Sequence, residues 1–296
     1  MKCKRLRLHF MIYYSLRGFS FGAIFMGSYI GRYFMIDLAR LLRVAEETAV
    51  SSGQLIRHKA SQPRQLTQKG FRDIVTDADL ASQELIVATI QRNFPNHGFL
   101  PEEADSKLPT EGDILWVIDP VDGTTNYSRQ IPNFTVSIAA LDPRSGRVLV
   151  GAICDPMREE LFSAAEGEGA WINKRPISAS SVSQLASAIA SMDMSHDYEV
   201  RQRSLDTLNN FGHHVYSIRA IGSAALAMAW VAAGRIDAYL NYQLKPWDVA
   251  AAQLILSEAG GQLTTTENMP WAWTMVKSGI VATNGAIHSD FVALIV

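Results

Sequence analysis

The chain has 296 residues, 48% of them hydrophobic, which is ordinary for a globular protein of one or two domains with a large core. Its 27 basic and 29 acidic residues leave a net charge near −2, which argues against a generally basic nucleic-acid binder, so no nucleic-acid partner is expected. Two distant cysteines, Cys3 and Cys154, exclude a disulfide scaffold and a cysteine-based zinc site and fit a reducing compartment.

Residues 1–36 hold six basic side chains (Lys2, Lys4, Arg5, Arg7, Arg17, Arg32) and no acid, so from Asp37 onward 21 basic residues face 29 acidic ones, a net −8. The apolar stretches 10–16 and 19–30 suit a signal peptide or membrane anchor. Arg17 interrupts them and no small-residue cleavage site stands out. Residues 1–34 therefore read as an extension outside the fold, with membrane attachment or export as the lesser reading. Leu38, Leu41, Leu42, Ala45, Ala49 and Ile56 then recur at helical spacing and predict a helix over 37–58, followed by a polar loop over 61–68. A second helix is expected over 77–93, with Leu80, Ile86 and Ile90 on its buried side. A short strand before Glu102, a fully apolar strand over 114–118, and strands near 134–138, 148–154 and 160–164 complete an α+β first half over 35–180.

The second half, 181–296, alternates between the two element types. Helices are expected at 198–210, 223–233, 247–259 and 286–295, and strands at 215–218, 236–241, 262–266 and 279–283. Gly260 and Gly261 supply the stop of the third of those helices. This alternation predicts a layered α/β arrangement. No internal repeat, zinc-finger spacing, GxGxxG or P-loop motif is present.

The most informative stretch runs from Trp116 through Asp119-Pro-Val-Asp122-Gly-Thr-Thr-Asn126. A buried strand ends at Asp119, Pro120 turns the chain, and Asp122 follows beside Gly123, Thr124 and Thr125. Paired carboxylates with free backbone N–H groups alongside suit a hard cation such as Mg²⁺ together with a phosphate, although an Asx-turn also uses these residues. Three further acid sites stay open to a second reading at this point. Glu102-Glu103 reads also as a solvated loop, Asp248 as a carboxylate favoured by a helix N-terminus, and Asp79, three residues after Thr76, as part of a capping box.

Taken together, these segments resemble the inositol monophosphatase family of Mg²⁺-dependent, lithium-sensitive sugar phosphatases. Glu102-Glu103, Asp119-Pro-Val-Asp-Gly-Thr-Thr-Asn126 and Trp247-Asp248-Val-Ala-Ala251 appear in the family's order, preceded by Asp73-Ile-Val-Thr-Asp-Ala-Asp79, and the resemblance runs from about residue 36 to the end. It implies a layered αβαβα fold and a phosphoric monoester hydrolase acting on a small polyol or sugar phosphate. It also implies two or three Mg²⁺ held by Glu102, Asp119, the carbonyl of Val121, Asp122 and Asp248, with Asp79 and Thr124 orienting and deprotonating the attacking water. Substrate contacts are expected from Asp122, Gly123, Thr124, Thr125, Ala224, Asn241 and Asp248.

Two positions depart from the family pattern. Asn241 stands where inositol-selective members carry a Glu, and Pro101 replaces the Gly before the acidic pair. Within the superfamily a bisphosphate nucleotidase or a fructose bisphosphatase is the alternative, and outside enzymes a regulatory binding protein on the same fold. A cytoplasmic homodimer without membrane attachment is the expected setting.

Overall fold

Asp37 opens the fold as a helix cap: its carboxylate accepts the Arg40 N–H at 2.9 Å, and α1 (Leu38–Ala60) follows. Leu41, Val44, Ala45, Ala49 and Ile56 form its buried stripe, as their spacing requires. The structure, a computed structural model, describes residues 36–295 apart from 63–65, 71–72, 104–106 and 274. The extension expected at 1–34 lies outside the described residues.

The loop expected over 61–68 is in part strand. β1 (Leu66–Gly70) pairs antiparallel with β2 (Asp73–Thr76) through a backbone ladder that forms a two-stranded ribbon. Next comes α2 (Asp77–Asn93), which buries Ile86 and Ile90 as expected. Leu80 is instead half exposed, because Ala78, Asp79, Ser82 and Gln83 face inward at that turn.

A seven-stranded sheet follows in chain order. It comprises β3 (Gly98–Pro101), β4 (Leu115–Asp122), β5 (Thr135–Leu141), β6 (Val148–Asp155), β7 (Glu160–Ala165), β8 (Ala170–Ile172) and β9 (Arg175–Ile177), with the short helix α3 (Thr124–Ser128) between β4 and β5. Only β3 and β4 run parallel; the other pairs are antiparallel.

The second half contributes β10 (Ile189–Met192), α4 (Tyr198–Phe211), β11 (Ser217–Arg219), α5 (Ala224–Ala232), β12 (Ala238–Leu244), α6 (Pro246–Glu258), β13 (Gln262–Thr265), β14 (Ser278–Thr283) and α7 (His288–Val292). The last helix is shorter than the 286–295 expected. The five strands order as β11-β10-β12-β14-β13, with β10 parallel to both neighbours and the rest antiparallel.

Three apolar clusters correspond to three helical layers. Trp116 and Ile118 of β4 face α1 and α2, while Leu115 and Val117, one residue out of phase, face α5 and α6 on the other side. α5 and α6 are buried between the two sheets, and α4 and α7 cover the outer face of the five-stranded sheet through Phe211 and Phe291. The order is therefore αβαβα. Trp271 and Trp273 pack against the central layer. No helix among the described residues is long and apolar enough to cross a membrane.

Candidate metal centre and active site

β4 does not end as a regular strand. Side chains three residues apart on a regular strand point to opposite faces, but the pairing with β5 slips between Asp119 and Asp122, where Pro120 intervenes. The irregularity brings both carboxylates to one place. Asp248, from the first turn of α6, joins them, and one carboxylate oxygen from each of the three lies within 4.8 Å of the others. Asp119 and Asp122 are buried, and Asp248 is partly so. Glu102 stands beside the nest. Pro101 brings no N–H to the end of β3, but the next N–H, that of Glu102, donates to the Ile118 carbonyl at 2.9 Å and keeps the chain against β4.

Each acid is held by backbone N–H groups, those on Asp122 coming from another element. Asp122 accepts the Ser223 hydroxyl and the N–H groups of Ala224 at 3.2 Å and Ala225 at 2.9 Å, all at the start of α5. Asp248 accepts the Lys245 N–H at 2.7 Å, and Asp119 the Val121 N–H at 3.0 Å. Gln83 of α2 clamps the backbone of Glu103 from both sides, at 2.8 and 3.1 Å.

Asp79 and Asp248 answer the two readings that sequence left open for them: each caps a helix and also faces the site. Asp79 Oδ2 accepts the Thr76 N–H at 2.9 Å, while Oδ1 accepts the Thr124 hydroxyl at 3.2 Å. That hydroxyl also reaches the Val121 carbonyl at 3.0 Å.

Three like charges this close repel by roughly 3 kcal/mol per pair at an effective dielectric near 20. Burial, followed by neighbouring carboxylates including Glu102, holds Asp119 and Asp248 well above the usual carboxylate range. Burial pushes Asp122 to about 6 against the pull of its hydrogen bonds from α5, and Asp79 to about 6 against those from Thr76. Among the described residues none of the three clustered acids forms an ion pair; Lys245 reaches Glu102 instead, at 3.6 Å. Buried carboxylates that repel one another and lack a basic partner fit a cation, and an all-oxygen donor set suits a hard divalent one.

Beside the nest lies a cavity of about 520 Å³. Gly123, Thr124, Thr125 and Asn241 line it together with Gly222, Gln243, Lys245 and Lys277. Gly123 has φ +93°, and a Cβ there would stand 2.9 Å from the Asn133 carbonyl, so the loop can approach only as glycine. Ala224, expected at the substrate, uses its N–H on Asp122 and is not among the lining residues. Ser223, Gln83 and Lys245 escaped the sequence reading. Only Ser223 left a local signal, a serine at the start of an apolar helix, where it caps the Leu226 N–H at 3.3 Å.

Two stacked sheets interleaved with helices thus carry a buried acid nest at the junction of β4, α5 and α6. The chain belongs to the inositol monophosphatase family, whose model matches residues 37–296. It is 38% identical over 226 residues to Nus factor SuhB of Escherichia coli strain K12, covering 75% of this chain and 83% of that protein. Inositol monophosphatase 1 of Solanum lycopersicum is 34% identical over 263 residues, 86% of this chain and 94% of its own. The crystal structure of the suhB protein from Bartonella henselae superposes with a TM-score of 0.81 at 31% identity, covering 86% of this chain and 98% of that one.

Proposed function

We propose that this chain is a Mg²⁺-dependent phosphomonoesterase hydrolysing a small polyol or sugar phosphate. The observation that carries the reading is the convergence of Asp119, Asp122 and Asp248 within 4.8 Å. Glu102, the Val121 carbonyl and these three acids would hold two or three Mg²⁺, which when bound neutralise phosphate charge and make a coordinated water more acidic. Thr124 holds the attacking water in line with phosphorus through its hydroxyl. Asp79 Oδ1, hydrogen-bonded to that hydroxyl, takes the water's proton; a carboxyl near 6 is mostly ionised at neutral pH and free to accept it. The N–H groups of Gly123, Thr124 and Thr125 donate to phosphate oxygens as the water oxygen bonds to phosphorus, the P–O ester bond breaks and the leaving alkoxide takes a proton from solvent. Water is the nucleophile, so no phosphorylated side chain forms. A free, buried Cys154 agrees with a cytoplasmic setting, and a homodimer is the assembly this reading carries with it.

The test is phosphate release from inositol 1-phosphate, fructose 1,6-bisphosphate and 3′-phosphoadenosine phosphate, with and without Mg²⁺ and Li⁺. Mg²⁺-stimulated, Li⁺-inhibited turnover is expected on at least one substrate, falling by roughly 10²–10⁴ in Asp79→Asn. The name Nus factor on the SuhB relatives favours a second reading, a binding protein acting through a partner surface. A stoichiometric macromolecular partner in pull-down, with no turnover on the panel, would establish that reading instead.

A further inference from the structure

The cavity wall opposite the threonines is made of groups whose hydrogen-bonding capacity is already divided. Asn241 is buried, and its carbonyl oxygen accepts the Gln243 N–H at 2.9 Å, which fixes the amide so that Nδ2 points the other way. One Nδ2 hydrogen goes to the Tyr239 hydroxyl at 3.3 Å, and the second remains for the cavity. Gln243 is fixed in the same manner. The Ser195 hydroxyl accepts the Asp197 N–H at 3.1 Å and so donates to Gln243 Oε1 at 2.7 Å, which leaves Nε2 with no acceptor among the described residues. Lys277 lines the cavity and makes no hydrogen bond or ion pair among the described residues.

Two acids stand near the cavity, Asp197 in the lining itself, each with one carboxylate oxygen on a backbone N–H of the chain. Asp197 caps α4 through Val200 at 3.0 Å, and Asp193 accepts the Gly222 N–H at 2.8 Å. Asn241, Gln243 and Lys277 thus bring three donors to the cavity, beside one acid in the lining, Asp197. A carboxylate reads a polyol hydroxyl through a charge-assisted hydrogen bond, and Asn241 in that place gives up the charge while adding an N–H donor suited to an anion.

We propose that Asn241, Gln243 and Lys277 read a second anionic group, a phosphate or a carboxylate, carried by the molecule whose phosphate ester is cleaved. This rests on the phosphomonoesterase reading and narrows its substrate class. A charged acceptor meets two amide donors and an ammonium there, and charge-assisted hydrogen bonds are about twice as strong as neutral ones.

The test compares kcat/KM for fructose 6-phosphate, fructose 1,6-bisphosphate and 6-phosphogluconate in the wild type, Asn241→Glu and Lys277→Met, alongside calorimetric titration of the same compounds. The bisphosphate arm reports a second phosphate and the gluconate arm a carboxylate. At least one doubly anionic compound is expected to exceed fructose 6-phosphate about tenfold, chiefly through KM. That ratio should fall about three- to tenfold in Lys277→Met and further in Asn241→Glu. Lys277 is exposed, so its variant keeps the test sound should Asn241→Glu fail to fold. Turnover with a wild-type ratio near one, or a ratio that neither variant moves, overturns this inference and leaves the hydrolase standing. Absence of turnover with the calorimetric preference intact overturns the hydrolase and supports the wall.

Discussion

The bodies of α5 and α6 and their first turns belong to the same two helices, yet they solve opposite problems. Along their bodies Ala225, Leu226, Ala227, Met228 and Val231 on one, and Ala250, Ala251, Ile255 and Leu256 on the other, are apolar and buried between the sheets. Each fully buried larger aliphatic side chain there contributes about 1.5–3 kcal/mol, and alanines let the layers approach. At their first turns the helices offer unpaired N–H groups to Asp122 and position Asp248 against two other carboxylates. Apolar burial in the bodies supplies the stability that the first turns consume in holding repelling charges together. Site and scaffold are thus separable by mutation even within one helix.

The largest effect that could break this division is expected at the acids. Asp122→Asn or Asp248→Asn should reduce Mg²⁺-dependent phosphate release by more than about 10³-fold while circular dichroism stays native, because charge is lost but apolar burial is not. Full activity in either variant would falsify the metal-site account.

A smaller effect concerns pH in the metal-free protein. Asp79 and Asp122 sit at about 6 against 3.8 for an ordinary aspartate, so between those values the folded chain binds more protons than the unfolded one. Their stabilising contribution is complete below about pH 4 and disappears as pH rises through 6. Denaturant titration should find the metal-free protein about 2–3 kcal/mol less stable at pH 8 than at pH 5, with Mg²⁺ restoring the difference at pH 8. A flat profile would mean the acids are not strained toward protonation.

The third effect tests the scaffold side. At Gly151 in β6 a Cβ would lie 2.8 Å from the Ala251 carbonyl oxygen of α6, so Gly151→Ala should cost about 1–3 kcal/mol while the folded fraction keeps its kcat. A change in kcat at unchanged stability would show that the layer and the site are not independent.

Much of this was legible from residue spacing. Leu41, Ala45, Ala49 and Ile56 marked α1, Gly260 and Gly261 marked the stop of α6, and the run up to Asp119 marked a strand covered on both faces. The acids were legible because motif order substitutes for spatial proximity when a family is recognised. Other features left no periodic trace. β8, β9 and β10 span three or four residues, too short for alternation to register. The order β11-β10-β12-β14-β13 depends on crossovers that local pattern does not encode. Leu80 misled because the inward face of α2 at that turn is polar, serving Asp79 and Gln83. The orientation of the Asn241 amide depends on a hydrogen bond two residues away.

The slip in register between Asp119 and Asp122 gives the chain an unusual genetic vulnerability. An in-frame deletion of the Pro120 and Val121 codons would make the two aspartates neighbours on an ordinary pleat, which turns them to opposite faces, carries the second away from its companions, and leaves both flanking strands long enough to pair. Such an allele would make abundant, well-folded protein with an empty cation nest, and would pass unnoticed in any screen that reads only expression or solubility.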